Sequence, residues 1–467
     1  MPAAGSPLQR WWPPFLVVLF VGVAYANALQ ASFQFDDWDV IVRDPRVQDL
    51  AAWWSSLPGM RPLLKLSYAL NHASGAGVAG FHAVNVAIHA GNGLLILFLV
   101  RRFAIQLAET PAVAGWLALA TALIFVLHPV QTEAVTYASG RSTSLSALFA
   151  LASVATWVSW RVRPGRPVWL FLVSLLLMVA GIATKETAAI VPAVLVLWEA
   201  TDVSRAFDWR AAVARTGAHW LLLAFGLALA MSLPAYREFL ASSLATRSVA
   251  ENLVAQLQGI RYLSGQLLNI DRMNADPALP ARLEPDTADG LTLLVLVVGA
   301  GFALTNLRRL PLPAFAILWF LLWLAPTNSL LARLDLVNDR QLYVALAGPA
   351  LLLAAAIRRL AVRQRGVAVV AFVAVLALTG LATHLRNDVY RDEVTFWRDV
   401  VSRSPHNARA FNNLGIALAD QCDLRRAEEA WLRALQLDPG YVRAAVNLRL
   451  LREGVLPDDI SPCPKWP

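Results

Sequence analysis

The sequence predicts an all-α, polytopic membrane protein of about eleven transmembrane helices with a short C-terminal helical-repeat domain, and three observations carry that prediction. The 467-residue chain is 57% hydrophobic and 15% charged, with mean hydropathy +0.52, whereas soluble domains carry about 25% charged residues. Apolar runs long enough for a helix to cross a bilayer core of about 30 Å recur along it. From about residue 387 onward the chain instead turns charged, with Ala and Leu at helical spacing.

The apolar runs lie near 14–30, 83–100, 112–128, 143–160, 167–183, 187–200, 213–233, 290–306, 312–327, 342–357 and 366–383. The first is read as a retained span and not a cleaved signal, because equally long runs follow it. Arg101, Arg102, Arg161, Arg163, Arg166, Arg205, Arg210, Arg215, Arg308, Arg309, Arg358, Arg359, Arg363 and Arg365 fall in alternate loops. The positive-inside rule makes that side cytoplasmic, with the N-terminus; an odd span count puts the C-terminus outside. The expected location is the plasma membrane, the bacterial inner membrane. The arginines are dispersed and make no basic face, so nucleic acid is not implied as a partner.

Every unusual polar cluster then faces outward. "SFQFDDWDVIVRDPRV" at 32–47 supplies Asp36, Asp37 and Asp39; "HPVQTEAVTYASGRS" at 128–142 supplies His128, Glu133 and Arg141; "ATKET" supplies Lys185 and Glu186; "PTNSLLARLDLVNDRQ" at 326–341 supplies Asp339 and Arg340. Ionisable groups at span ends are costly to keep without a purpose. Transfer of a sugar from a lipid phosphate to a hydroxyl asks for one carboxylate to take the proton and for cations on the leaving phosphate; a glycosidase instead needs a paired acid and base. The inventory fits the transfer.

Each residue also has a plain structural alternative. Asp36 and Asp37 could be solvated acids at a helix end, His128 a helix-end cap before Pro129, Glu133 and Arg141 partners of each other, and Lys185 and Glu186 a local ion pair. His82 and His89, seven apart on one face, suit interhelical hydrogen bonds better than metal ligation. First-loop carboxylates are chemically suited to hold a divalent ion near a phosphate, but no ligand spacing demands a metal. The stretches from Arg61 and from Ser248 have the spacing of amphipathic interfacial helices, which would either line a groove or pack on the bundle.

In the charged C-terminal part, Phe411, Leu414, Gly415, Leu418, Ala427, Trp431, Ala434 and Pro439 stand at tetratricopeptide-repeat offsets, and Trp397 and Pro405 precede Trp431 and Pro439 by one 34-residue period. The expected domains are 1–386 in the membrane, 387–453 as repeats and 454–467 as a tail. So short an array must be capped or docked on the membrane domain. Cys422 and Cys463 either pair or remain free thiols.

The order "FQFDDWDVIVRDPRV", "RPLLKLSYALNHASG", "LIFVLHPVQTEAVTYASGRSTSLSALFALAS", "ATKETAAIVPAVLVLWE" and "VNDRQLYVALAG", ending in repeats, resembles the transmembrane and tetratricopeptide-repeat O-mannosyltransferases, glycosyltransferases of the GT-C class, from Phe33 to about Arg452. The resemblance implies an enzyme that moves mannose or another hexose from a polyprenyl-phosphate donor to a hydroxyl of an acceptor protein or glycan, with inversion, and needs no other certain cofactor. It implies Asp36, then Asp37, as general base; Arg340, with Lys185 and Arg141 behind it, on the donor phosphate; and His128, Glu133 and Tyr343 in positioning. The repeat domain would recruit the acceptor. The competing class is a membrane-anchored repeat scaffold for envelope assembly.

Overall fold

The computed structural model describes residues 7–57, 59–204, 206–279, 284–328, 332–333 and 335–454, with side chains from Trp11 onward. Among the described residues there are helices and turns and no strand. Each predicted apolar stretch is helical. Gly77–Gln106, Ala138–Val162, Trp209–Ser232, Thr287–Thr305 and Arg365–Tyr390 are each long and apolar enough to cross a membrane; Pro111–Leu127 with Pro129–Val135, bent by 57°, makes a sixth. Trp11–Ala24, Val168–Thr184 and Pro311–Leu324 are shorter apolar helices. The 187–200 stretch divides into a 3-10 turn, Glu186–Ile190, and the helix Val191–Ala200, and the 342–357 stretch contributes Ala347–Arg363. The chain is a multi-pass membrane protein.

The helices sort into a centre and a rim. Half of the apolar window of Gly77–Gln106 is buried, against 11% in Thr287–Thr305 and 17% in Trp209–Ser232. Leu291, Leu293, Leu294, Val295, Val297 and Val298 are accordingly exposed on the rim helix, as lipid-facing side chains would be. In the centre, packing brings backbones close: a Cβ on Gly348 would stand 2.3 Å from the Ala316 carbonyl oxygen.

The end of the bundle opposite the acidic first loop is tied by buried ions. Arg161 bonds Glu199 at 2.7 Å and also Asp202, Arg215 bonds Glu199 at 2.7 Å, and Arg308 donates to the Asp202 carbonyl at 3.1 Å. Arginines read from the sequence as loop charges therefore stitch four segments together.

Pro62–Ala73 and Val249–Gln266 are helices, the second begun by a capping box of Ser248 and Glu251. Four helices, Glu393–Arg403, Ala408–Asp420, Leu424–Leu437 and Val442–Arg452, make the charged C-terminal part. Gly415 lets the Trp431 indole lie on the facing helix; a Cβ there would be 2.4 Å from Nε1, which donates to the Asn412 carbonyl at 3.1 Å. This array is docked. Arg409 bonds Asp276 and, at 2.8 Å, Asp335, while Asn274 donates to Ser404 at 2.8 Å. Cys463 lies outside the described residues.

Candidate active site

The first loop is held on the C-terminal helices by a strained residue. Phe35 has φ 42°, a left-handed conformation that is an outlier for a bulky side chain and costs about 1–3 kcal/mol. Its ring meets Trp397 edge-on at 5.3 Å and lies under the Arg409 guanidinium at 5.7 Å. Beside it, Gln34 Nε2 donates to the Tyr390 carbonyl and Trp38 Nε1 to Glu393 at 2.7 Å. The strain turns Asp36 and Asp37 to opposite fates.

Asp37 points inward and is fully buried. Its two oxygens accept backbone N–H bonds from Gln34 at 2.9 Å and Ser139 at 2.7 Å, tying the first loop to the 128–142 loop. Burial pushes it up to about 7, against those two bonds. Asp36 is half-buried, with its backbone N–H on the Tyr137 hydroxyl at 2.9 Å, and it lines a recess shared with Glu133, Asp276, Asp335, Asn338 and Arg340. Burial raises its pKa, Arg340 and Arg409 oppose the rise, and Asp335 adds to it.

Arg340 closes that recess and opens a second. Its backbone N–H donates to Glu133 Oε2 at 3.0 Å, its Nε lies 3.5 Å from Oε1, and its guanidinium is over the Tyr137 ring. Gly140 lets the 133–140 turn that carries Glu133 and Tyr137 close on itself, because a Cβ there would fall 2.2 Å from the Glu133 carbonyl oxygen. The second recess is lined by Arg340, Lys185, Gln341, Thr143, Thr187 and Trp323 among others. Lys185 Nζ donates to Thr143 Oγ1 at 2.6 Å. Burial holds Lys185 well below the usual lysine range, and Arg340, Arg333 and Arg61 press it further in that direction. The two recesses differ in sign: carboxylates line the first, cations and hydrogen-bond donors the second.

Two of the residues singled out in the sequence, Arg141 and His128, stand elsewhere. Arg141 is fully buried among neutral acceptors: Nε on Asn85 at 2.6 Å, Nη1 on the Ser67 carbonyl, Nη2 on Asn71 and the Phe81 carbonyl. Its plane covers Tyr68 and Phe81. It pins three segments, pairs with no carboxylate and lines neither recess. Glu133 pairs with Arg340 and not with Arg141. His128 accepts the Val130 N–H on Nδ1, so Nε2 carries the proton and donates to the Leu267 carbonyl at 3.2 Å; it caps the bend after Leu127.

Tyr343 is among the residues lining the second recess, but its hydroxyl belongs to a buried network: it donates to His89 Nδ1 at 2.8 Å and accepts from Asn92 at 3.0 Å, while His89 Nε2 donates to the Val126 carbonyl. His89 thus makes interhelical bonds. Among the described residues no cluster of three or more His, Cys, Asp or Glu is placed to hold a metal ion. Residues that sequence reasoning passed over are Asp276, Arg333, Asp335 and Arg409. The charged string "LLARLDLVNDR" was the signal for two of them; Asp276 and Arg409 carry no local signature.

No family model matches the chain, and no solved structure matches it. It is 25% identical to protein O-mannosyl-transferase TMTC4 of Mus musculus over 485 aligned positions, covering 88% of this chain and 65% of that protein. It is 26% identical to protein O-mannosyl-transferase Tmtc3 of Drosophila melanogaster over 537 positions, 96% of this chain and 57% of that one. A shorter stretch of 187 positions is 30% identical to Drosophila protein O-mannosyl-transferase Tmtc2, covering 36% of this chain and 19% of the relative. The chain spans less than two thirds of the length of these relatives.

Proposed function

From the premise that the chain is TMTC-like, similar over most of its length to protein O-mannosyl-transferases, we propose that it is a membrane glycosyltransferase using a polyprenyl-phosphate-linked sugar. One observation carries the reading: Arg340 stands between a carboxylate-lined recess and a cation-lined recess. The donor phosphate lies in the second, against Lys185 and Arg340. The acceptor hydroxyl enters the first, and the sugar spans the boundary.

In the transfer the hydroxyl oxygen bonds to the anomeric carbon, the bond from that carbon to the phosphate oxygen breaks, and the proton passes to the Asp36 carboxylate. A raised pKa suits Asp36 to accept it. The departing polyprenyl phosphate gains negative charge beside fixed cations, which a water-poor site makes effective. Asp37, with both oxygens already bonded, positions the loop. Glu133 orients Arg340, and Arg141 has no part in phosphate binding.

A lipid-linked donor also has a path. Ile260, Leu296, Val297, Ala300, Leu321 and Leu324 line an apolar groove together with Ala325 and Asn328, which flank Thr327 of the cation-lined recess in sequence. An isoprenoid chain fits its chemistry. On the positive-inside reading the site faces the extracytoplasmic side of the plasma membrane, the acceptor is a protein hydroxyl, and residues 387–453 form the repeat domain that presents it.

The test is transfer by the full chain in lipid nanodiscs supplied with polyprenyl-phosphate mannose and a Ser/Thr peptide, read by mass spectrometry as an added hexose. The proposal expects a mass gain with wild type and none with Lys185→Ala. Equal transfer by both would remove the phosphate from the second recess; no transfer of any hexose by wild type would favour the scaffold reading.

A further inference from the structure

Two buried donors on the cation-lined recess take no part in the bonds described so far. Gln341 is 7% exposed and Trp323 6%; both line the recess, and among the described residues neither Gln341 Nε2 nor Trp323 Nε1 finds an acceptor. Buried N–H groups are rarely left so.

The Gln341 amide is oriented by a chain of neighbours. Its Oε1 accepts from Asn328 Nδ2 at 3.1 Å, the same amino group donates to Gln256 Oε1 at 2.9 Å, and Asn328 Oδ1 accepts from Thr327 at 2.9 Å. Turning the Gln341 amide over would set two amino groups against each other, so Nε2 is the Gln341 atom left without a partner on this recess-lining side chain. Trp323 differs from its neighbour Trp319, whose indole N–H is satisfied by the Val344 carbonyl at 2.9 Å. The Trp323 ring packs 5.7 Å from the Trp319 ring. Two neutral donors therefore stand beside Lys185 and Arg340, and among the described residues no carboxylate lines this recess. Such a set matches an anion whose oxygens outnumber the available cations, as a phosphate monoester or diester does.

We propose that Gln341 and Trp323 are donor-phosphate ligands, their Nε2 and Nε1 completing with Lys185 and Arg340 a set of hydrogen-bond donors around the lipid-linked phosphate. The inference rests on the proposed use of this recess for the donor. Asn328 is a positioning residue: it holds Gln341 and also lines the apolar groove, so head and tail of the donor would meet near one amide.

The experiment is binding of a polyprenyl monophosphate to the full chain in nanodiscs, with inorganic phosphate as a second probe and thermal unfolding as a folding control. Trp323→Phe keeps the ring and removes one donor; Gln341→Glu keeps the shape and the Asn328 contact and replaces a donor with a carboxylate oxygen. Each should weaken lipid-phosphate binding about tenfold to a hundredfold, the range for losing a hydrogen bond to a charged group, with Gln341→Glu the weaker binder and the donor KM rising for Trp323→Phe. Inorganic phosphate should bind more weakly than the lipid. If Lys185→Ala loses binding while Trp323→Phe and Gln341→Glu, folded, bind as wild type does, this inference is overturned and the phosphate reading survives. If Lys185→Ala binds as wild type does, both fall. If inorganic phosphate binds as tightly as the lipid, the recess is a free-phosphate site and the lipid assignment is overturned.

Discussion

The backbone N–H of Arg340 donates to the Glu133 carboxylate at 3.0 Å, across 207 residues of sequence. The same carboxylate faces the Arg340 guanidinium, so one acid fixes both the course of the 335–346 segment and the direction of its cation. Replacing Glu133 by Ala leaves a buried guanidinium unpaired, which typically costs about 3–5 kcal/mol. Glu133→Ala should therefore unfold at markedly lower temperature, while Glu133→Gln, which keeps an acceptor, should retain most stability and lose donor affinity. Differential scanning fluorimetry beside donor binding checks both.

Trp397 supports Phe35 in its left-handed conformation and so holds the loop of Asp36 from the repeat side. Trp397→Ala should cost about 3–5 kcal/mol of repeat stability and should lower kcat more than it raises the donor KM, because the phosphate recess is not touched. Equal effects on both parameters would show that the loop does not depend on this contact.

The acid pair gives two pH dependences of opposite kind. Transfer needs Asp36 ionised, so its rate should climb as pH rises, with an inflection above the ordinary aspartate value of 3.8. Asp37 is about 7 when folded and near 3.8 when unfolded. The folded state binds that proton more tightly, so its contribution to stability is present below about pH 4 and lost as pH rises toward 7, by at most about 4 kcal/mol at 1.36 kcal/mol per unit. Thermal unfolding from pH 5 to 8 should show the decline in wild type, and a flatter profile in Asp37→Asn.

At the other end of the bundle, Arg161 binds Glu199 and Asp202 with its side chain only 6% exposed. Arg161→Met should destabilise the protein by about 3–5 kcal/mol with no change in donor KM for the fraction that remains folded. A changed KM would couple that network to the site.

How much of this could be read from the sequence follows from how local each signal is. Apolar runs report burial in lipid directly, and each of them became a helix. Trp397 and Trp431 stand 34 residues apart in the sequence, and Gly415 makes room for Trp431. Asp36 and Arg340 stood out as charges beside apolar spans. The pairing of Glu133 with Arg340, by contrast, is made by helix packing that brings distant turns together, and no periodicity encodes it. Arg141 looked available for the same reason that it is conspicuous, a cation at a span end; its neutral partners Asn71 and Asn85 lie on two other helices. Gln341 and Trp323 are ordinary residue types whose meaning is the absence of an acceptor, which only three dimensions reveal.

The central claim is that Asp36, and not its neighbour, takes the proton. The direct measurement is the transfer rate of Asp36→Asn against wild type at saturating donor, in nanodiscs, with folding verified by thermal unfolding and donor binding measured alongside. The account predicts a loss of about 10²–10⁴ in kcat with donor affinity preserved; an Asp36→Asn variant that transfers sugar within a few-fold of wild type would contradict it.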